Sequence, residues 1–261
     1  MIKLFIPLCI FLASTTNAQI KEGKVIYERV MQVRRPQGMS EEIKLPPTRT
    51  ENFELLFGNN QSLWQVIPNP EGDNNTITAP GMVFRMAGNN DITYFNFNTG
   101  KRIDQREMLD REFLVEDSIA KITWKLHEET KTILGHLARK ATAQRFSKRM
   151  QMTMENGNMK REEVADTSSV VAWFTTDVIM PVGPQEYQGQ LPGLIMELSI
   201  NNGGTVYRAV EISSKVNIAH IKPPKGGKKL TAAEFVLERQ KLMEEMRKNN
   251  PGGNRVIRIT N

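Results

Sequence analysis

The chain has 261 residues, of which 39% are hydrophobic and 25% charged, and its formal net charge is +6. This composition is ordinary for a globular protein, and no apolar run after residue 18 is long enough to cross a membrane as a helix. Basic and acidic residues are interspersed, so we interpret the positive surplus as a solubilising surface and expect no nucleic-acid partner.

Residues 1–18 have the pattern of a secretory signal peptide. Lys3 precedes the apolar run Leu4–Ala13, and small residues follow it, so we predict cleavage before Gln19. A retained anchor is the alternative, but this run is too short to cross a bilayer core of roughly 30 Å. The only cysteine, Cys9, lies inside this segment, so the mature chain is predicted to lack disulfides, thiol chemistry and Cys-bound zinc. We therefore expect a periplasmic or secreted protein that is not a lipoprotein.

Apolar and polar residues alternate through much of the remaining chain, a pattern typical of β-strands with one buried face. Strands are predicted first at Val25–Val33, Phe53–Phe57 and Ser62–Val66. The turn signal Gly58–Asn60 joins the last two strands as a hairpin. The stretch 67–81, rich in Pro, Gly and Asn, predicts a loop.

The alternation continues in the second half of the chain. The charged stretch Arg106–Val115 is compatible with a strand or a helix. Residues His127–Thr130 are predicted to turn the chain between strands at Ile122–Leu126 and Thr132–Arg145. Asn201–Gly204 predicts a hairpin turn, because Asn and Gly tolerate positive φ. Further strands are predicted at Ile92–Phe97, Val170–Thr175, Leu194–Ile200 and Val206–Ile212.

The end of the chain has a different pattern. Thr231 and Glu234 have the spacing of a capping box, in which the hydroxyl and the carboxylate satisfy free amides at a helix start. An amphipathic helix is predicted over residues 231–248. Val256–Ile259 is compatible with a short final strand or a frayed tail. The apolar stripe of the helix is formed by Phe235, Leu242 and Met246, with Arg239 completing it.

About nine strands joined mainly by hairpin-type turns predict an antiparallel sheet, which must curl or close to cover its apolar face. The fold class expected is therefore mainly β, with a curved antiparallel sheet that is an open barrel or sandwich-like. The C-terminal helix is expected to cover an edge or an open mouth of this sheet. The sequence contains no internal repeat or dividing linker, so residues 19–261 are predicted to form a single domain.

One segment is more specific than the general strand pattern. After Trp173 the chain reads Gly183-Pro184, Tyr187, and then Gly189-Gln190-Leu191-Pro192-Gly193-Leu194-Ile195. These residues resemble the motif of the GLPGLI family, exported proteins of unknown function typical of Bacteroidetes. The resemblance covers residues 24–248, and its specific motifs lie between 122 and 198. Gln190 replaces the first glycine of the motif, and Ala138 stands where many members have a cysteine, so any role of that cysteine is absent here.

The motif also has a structural explanation of its own. Pro192 fixes φ at the second position of a turn and Gly193 supplies positive φ at the third, which predicts a type II turn before a strand at Leu194–Leu198. Trp173 is expected to pack in the same core. Because apolar side chains with Pro and Gly offer no acid, base or nucleophile, we interpret the motif as fold-defining.

The sequence contains no recognisable catalytic pattern, so we expect a protein that is not an enzyme and has no cofactor. His127, His136 and His220 do not have the spacing of a zinc site, and neither a nucleophile elbow nor a phosphate-binding loop occurs. Carboxylates such as Glu128 and Glu129 lie in a predicted turn.

Three functions remain open. The first is a non-catalytic envelope protein that binds a protein partner or a hydrophobic ligand, the latter in a cavity lined by Phe53, Trp124, Trp173 and Leu198. The second is a periplasmic Cu(I)-binding protein, because thioethers are soft ligands. The third, implied only by the family resemblance, is an accessory factor of TonB-dependent transport across the outer membrane. The methionines considered for copper are Met150, Met152, Met154 and Met159, with Met243 and Met246 on the helix.

Overall fold

The protein is described by a computed structural model that covers residues 19–33, 46–68, 76–79, 82–85, 92–108, 111–155 and 158–249. The predicted signal peptide, 1–18, and the predicted final strand, Val256–Ile259, lie outside these residues and stay predictions. No helix in the described ranges combines the length and the apolar character needed to cross a membrane.

Strands account for most of the described residues. In chain order they are β1 (Gly23–Gln32), β2 (Thr48–Gly58), β3 (Gln61–Val66), β4 (Thr76–Ala79), β5 (Met82–Arg85), β6 (Ile92–Asn96), β7 (Lys101–Met108), β8 (Arg111–Ser118), β9 (Trp124–Ile133), β10 (His136–Glu155), β11 (Asn158–Thr175), β12 (Leu194–Ile200), β13 (Thr205–Ser213) and β14 (Lys228–Thr231). One α-helix, α1, spans Ala232–Asn249, and two short 3₁₀ helices span Gln185–Tyr187 and Ile218–His220.

Twelve of these strands form one sheet in the order β14-β8-β7-β6-β3-β2-β1-β13-β12-β11-β10-β9, and β4 and β5 form a separate pair. Neighbouring strands are antiparallel except β14, which runs parallel to β8. The end strands β14 and β9 do not pair with each other in the described structure, so the sheet stays open. The predicted fold class, a curved, mainly antiparallel sheet with one C-terminal helix, is confirmed.

The hairpin turns predicted from Asn and Gly are confirmed. Asn59 and Asn60 join β2 to β3 with φ of 51° and 56°, and Asn201 and Asn202 join β12 to β13 with φ of 53° and 52°. The loop predicted at 67–81 is wrong at its end, because Thr76–Ala79 pairs with β5. In the ambiguous stretch 106–115, the described residues 106–108 belong to β7 and 111–115 to β8.

The turn predicted at His127–Thr130 is also wrong. Strand β9 runs straight through these residues, and the chain reverses at Leu134 and Gly135, which have φ of 49° and 82°. The physical reason is the position of β9 as the last strand of the sheet, where Glu128 and Glu129 stay exposed without leaving the strand. Charged residues are common on such edges because they discourage pairing with other chains.

The main core lies on the inner face of the curved sheet. Alternate residues of β1, β2 and β3 point to this face, where Tyr27, Phe53 and Trp64 are almost fully buried. The rings of Phe53 and Trp64 stack with their centroids 4.9 Å apart. The segment Val178–Ile195 packs against the same face and belongs to the same buried cluster. Ile20 pairs with the start of this segment through a hydrogen bond from Ile20 N to Asp177 O of 2.8 Å.

Helix α1 covers the other end of the sheet. The predicted capping box is confirmed, since Glu234 N lies 3.3 Å from Thr231 Oγ1 and Thr231 N donates to the carboxylate of Glu234 at 2.8 Å. Phe235 and Leu242 pack on Phe113 of β8 and its neighbour Val115. The predicted stripe differs at one position: Arg239 is exposed, and the half-buried Glu238 instead pairs with Lys228 Nζ at 3.1 Å. The side chain of Met246 lies outside the described part.

Candidate functional site

The motif residues lie mainly in the segment Val178–Ile195, which packs against the inner face of the sheet. Gly183 packs so closely on Ile195 that an added Cβ would lie 2.9 Å from its side chain. The hydroxyl of Tyr27 donates to the carbonyl of Ile195, and Ser62 Oγ donates to Gln188 Oε1 at 2.5 Å. These contacts tie the segment to β1 and β3. The buried motif residues are Gly183, Pro184, Tyr187, Leu191, Gly193, Leu194 and Ile195.

Trp173 differs from the expectation that it lies within the core. It is only partly buried and packs at the margin of the main cluster, whereas its strand neighbours Ala172 and Phe174 are buried. The ammonium group of Lys131 lies 4.4 Å from the centroid of the Trp173 ring. Because residues alternate across a strand, Trp173 belongs to the outer surface of β11.

The turn at Gly193 differs from the predicted type II turn. Gly193 has positive φ, as expected, but its value is +134°, and Gly193 N donates to Leu191 O at 2.9 Å. The hydrogen bond therefore closes a three-residue turn around Pro192. The requirement for glycine is steric as well, because a Cβ at this position would lie 2.1 Å from Thr175 O.

Gln190, which stands where the GLPGLI motif has a glycine, holds the connection between β8 and β9. Its Nε2 donates to Ala120 O, and its Oε1 accepts from Ile122 N at 3.0 Å. Lys121 Nζ also donates to Gly189 O at 2.8 Å. The side chain at position 190 therefore uses both its donor and its acceptor, which a glycine there lacks.

The four residues expected to line an apolar cavity are not arranged in that way. Phe53 and Leu198 are buried within the main cluster, where Phe53 stacks on Trp64. Trp124 packs at the edge of this cluster with its ring centroid 6.5 Å from that of Tyr187. Trp173 lies on the outer surface. The space between the first three is occupied by core side chains, including those of the motif segment.

The inner face also carries polar and charged residues, and these form the candidate site. Arg29 of β1 lies directly between Glu51 of β2 and Tyr207 of β13 in the strand register. Its guanidinium pairs with Glu51, donates to Tyr207 Oη at 3.4 Å, and lies 4.7 Å from the centroid of the Phe53 ring. Arg49 pairs with the other oxygen of Glu51. One carboxylate is therefore shared by two arginines.

The motif segment supplies the opposite side of this group of residues. Tyr207 Oη donates to Gln185 Oε1 at 2.7 Å, and Glu186 pairs with Arg145 of β10 at 2.5 Å. We call the set Arg29, Arg49, Glu51, Arg145, Gln185, Glu186 and Tyr207 the polar cluster. Its members come from four strands and the first 3₁₀ helix.

A second charged group lies beside the polar cluster on β7. Asp104 accepts from Arg102 Nε at 2.9 Å and from Arg106 at 3.0 Å. Burial acts to raise the pKa of Asp104, but the two arginines outweigh it and hold the pKa below its ordinary value. The negative charge of Glu186 also acts on Arg102 and contributes to raising the pKa of that guanidinium. The two groups are therefore electrostatically connected through Glu186.

Several buried polar atoms around the cluster have no hydrogen-bond partner in the described structure. They include Nε of Arg29, Nε2 of Gln188 and Nε1 of Trp124. Burial raises the pKa of Tyr207 to about 12, against an opposing effect of Arg29. The phenol is therefore neutral at physiological pH. The cluster combines positive charge, neutral hydroxyl and amide groups, and N–H donors that remain available.

Sequence reasoning missed the polar cluster, although a signal exists. Arg29 stands at the inward position that follows Val25 and Tyr27, and Glu51 stands at the inward position that precedes Phe53. A charged residue at an inward-facing position of an alternating strand indicates either a buried ion pair or a functional site. Arg145 and Glu186 carry no comparable signal, because their pairing depends on the folded path of the motif segment.

The histidines lie apart from this cluster, each with a different partner. His127 Nε2 is 2.8 Å from Thr142 Oγ1, and His136 Nδ1 is 2.8 Å from Asp177 Oδ2. His220 Nε2 is 3.3 Å from Asn217 Nδ2. Within the described residues, His, Cys, Asp and Glu side chains do not gather in a group of three that could hold a metal ion. The side chains of Met150, Met152, Met154 and Met159 lie outside the described part.

The fold and the site define a protein with a curved open sheet, a segment packed on its inner face, and a charged cluster beside that segment. A family model described as a protein of unknown function (Porph_ging) matches residues 124–197. This match begins at β9, ends within β12 and includes the whole motif segment. The curated proteins searched contain no match to the chain.

Two solved structures have a similar fold. They are structures of PNGF-II in the P21 and C2 space groups, with TM-scores of 0.50 and 0.51 and sequence identities of 14% and 15%. In both cases the match covers 85% of this chain but 33% of the PNGF-II chain. This chain therefore corresponds to about a third of PNGF-II in length, and the likeness shows a shared fold.

Proposed function

We propose that this protein is a non-catalytic binding protein of the cell envelope, exported by a cleaved signal peptide and related to the GLPGLI proteins. The pattern of residues 1–18 supports export, and the motif from Gly189 to Ile195 supports the relationship. The match of residues 124–197 to a family of unknown function is compatible with both. The ligand is received at the polar cluster.

The observation that carries this proposal is the contrast between the two parts of the inner face. The apolar part is packed with the chain's own side chains, including Tyr187 and Leu194, which leaves little support for an acyl chain as ligand. The polar cluster is partly open, since the side chains of Arg145 and Glu186 are 43% and 28% exposed. A polar ligand or a polar segment of a partner protein fits this surface better than a lipid does.

The chemistry of the cluster supports binding in preference to catalysis. A general base needs a carboxylate or imidazole whose pKa lies near the working pH. The pKa of Asp104 in the adjacent β7 group is held below its ordinary value by Arg102 and Arg106, which moves it away from the working pH. Arginines paired in this way are suited to recognition, because guanidinium groups stay charged and have fixed donor geometry.

The test compares ligand capture by two variants of the mature chain, residues 19–261. Arg145→Gln removes a charge of the cluster, and Arg139→Gln is the matched control on the same strand, since the two arginine side chains are 43% and 41% exposed. Each protein is incubated with envelope extract, and the retained small molecules and proteins are identified by mass spectrometry. We expect the wild type and Arg139→Gln to retain the same ligand unchanged, and Arg145→Gln to lose it. Equal recovery by both variants would contradict the proposed site.

The same experiment bears on the partner. If the retained molecule is a TonB-dependent receptor, the protein is an accessory factor of outer-membrane transport. If it is a small polar molecule recovered without chemical change, the protein is a carrier or scavenger. Conversion of the molecule during incubation would contradict the proposal that the protein is not an enzyme.

The strand register favours copper binding as a second candidate. Strand β10 holds Met150, Met152 and Met154 at alternate positions, and the register places Met154 opposite Met159 of β11. Thioethers at such positions suit Cu(I). Titration with Cu(I) against a competing chelator should show weaker binding by a Met152→Leu, Met154→Leu variant than by the control Met196→Leu, which replaces a fully buried core methionine. Equal affinity in the two variants would exclude this methionine site.

A further inference from the structure

We infer that the ligand of the polar cluster carries an oxyanion, a phosphate or carboxylate group, that binds to Arg145 and its neighbouring arginines. This inference rests on the proposed function, because it names the chemical class of the molecule received at that site. It follows from the charge balance, the hydrogen-bond donors and the exposure of the residues involved.

The charge balance of the polar cluster and the adjacent β7 group is positive. Five guanidinium groups face four carboxylates, one of which is Asp117, the residue opposite Arg102 on β8, and this leaves a surplus of one positive charge. Such a surplus on the inner side of a curved sheet concentrates anions, because low-dielectric walls focus the field. The arginines are Arg29, Arg49, Arg102, Arg106 and Arg145, and the carboxylates are those of Glu51, Asp104, Asp117 and Glu186.

The arginines retain donors that the carboxylates do not use. Glu51 and Asp104 each accept from two arginines, and only Arg102 engages both oxygens of its carboxylate. A guanidinium has five N–H donors, and it binds phosphate or carboxylate through two of them at once. The Nε atoms of Arg29 and Arg106 are buried and have no partner in the described structure.

The arginines nearest to Glu186 can be reached from solvent. The side chain of Arg145 is 43% exposed and that of Arg102 is 21% exposed, whereas Arg29 is 8% exposed. An incoming anion would therefore meet Arg145 first, and Arg106, at 38%, is also open to it. The phenol of Tyr207, whose pKa is about 12, stays neutral and adds no repulsion to an anion.

Glu186 occupies the position that such an anion would take. Its carboxylate pairs with Arg145 at 2.5 Å and acts electrostatically on Arg102. It lies on a short 3₁₀ helix within the motif segment and is partly exposed, so the pair with Arg145 can open without disturbing the core. The bound oxyanion would replace the carboxylate of Glu186, which therefore acts as an internal competitor.

This competition gives two substitutions opposite effects. Arg145→Gln removes a charge-assisted contact and should weaken oxyanion binding by about tenfold or more. Glu186→Gln removes the competing charge and should strengthen binding by about threefold or more. A purely structural role of the pair would make both variants worse. Arg139→Gln, at a similarly exposed arginine of β10, should bind as the wild type does.

The experiment is isothermal titration of the mature protein with inorganic phosphate and, separately, with citrate, at constant ionic strength set by sodium chloride. The inference requires Arg145→Gln and Glu186→Gln to shift the affinity in opposite directions. If they do, binding of phosphate alone would identify the ligand group as a phosphate, and binding of citrate alone would identify it as a carboxylate. Equal affinities in Arg145→Gln and Arg139→Gln would overturn the inference. The absence of binding by both anions would also overturn it. If Arg145 were still needed to capture a ligand from envelope extract, the proposed function would stand without an oxyanion.

Discussion

Among the glycines in the described part of the chain, Gly193 should be the one whose replacement by alanine destabilises the protein most. The added Cβ would lie 2.1 Å from Thr175 O and 3.0 Å from Val178 O, and φ at this position is +134°. Neither Thr175 nor Val178 can move easily, because both are buried and Thr175 also pairs with Leu194 in the sheet. The substitution therefore combines backbone strain with overpacking.

The magnitude follows from these two effects. Backbone strain of roughly 1–3 kcal/mol and overpacking of roughly 1–3 kcal/mol give a loss in the free energy of unfolding of about 4 kcal/mol. With a urea dependence of about 3 kcal/mol per molar, the unfolding midpoint should fall by roughly 1.3 M, with an unchanged slope. The assay is urea unfolding of the mature chain followed by tryptophan fluorescence.

Gly203→Ala is the matched control. Gly203 also has positive φ, +88°, but an added Cβ there would have no atom within 4 Å. Only strain remains, so the midpoint should fall by less than about 0.6 M. If the two variants unfolded at the same urea concentration, the close approach of Gly193 to Thr175 would be refuted, and only its positive φ would account for the glycine.

Three further predictions concern separate parts of the structure. Gln190→Gly, which introduces the glycine of the motif that this segment resembles, should lower the free energy of unfolding by about 1–3 kcal/mol in urea, because two hydrogen bonds to the β8–β9 connection are lost. Tyr207 has its folded-state pKa raised to about 12 from 10.0, so its stabilising contribution is complete below pH 10 and is lost as the pH rises toward 12. Two pKa units correspond to roughly 3 kcal/mol. Between pH 10 and 12 the free energy of unfolding should therefore fall by about 3 kcal/mol more in the wild type than in Tyr207→Phe, as measured by thermal unfolding. Phe235→Ala should detach helix α1 and increase hydrogen exchange throughout the helix, at a cost of about 2–3 kcal/mol, whereas Val236→Ala at an exposed position should change stability by less than about 0.5 kcal/mol.

The parts of the fold that could be predicted are those specified by local sequence. The turns at Asn59-Asn60 and Asn201-Asn202 followed from the tolerance of Asn for positive φ, and the helix start followed from Thr231 and Glu234. Strand β14 could not be predicted, because Lys228–Thr231 is too short for alternation to be visible and pairs in parallel with β8. Its pairing depends on a partner far away in the sequence.

The edge strand β9 shows a different limit. Its charged residues have the composition of a turn, and only the strand order of the sheet reveals that they lie on a free edge. Gln190 is a third case: the sequence marks it as a departure from a glycine, but its two hydrogen bonds depend on where the β8–β9 connection lies. Local composition does not determine such contacts, because both partners are placed by the tertiary fold.

The motif and the polar cluster are parts of one arrangement. The apolar motif residues contribute no reactive group, yet the segment that they anchor carries Gln185 and Glu186 into contact with Tyr207 and Arg145. Anchoring at Gly193 near one end, and at Asp177 next to the other end through Ile20, fixes this segment without any contact to a ligand. A motif can therefore define a fold and still position a binding site. The two roles can be tested separately. A substitution at Arg145 alters the charge of the site while the core stays packed, whereas one at Gly193 alters the stability of the fold and, with it, the geometry of the site.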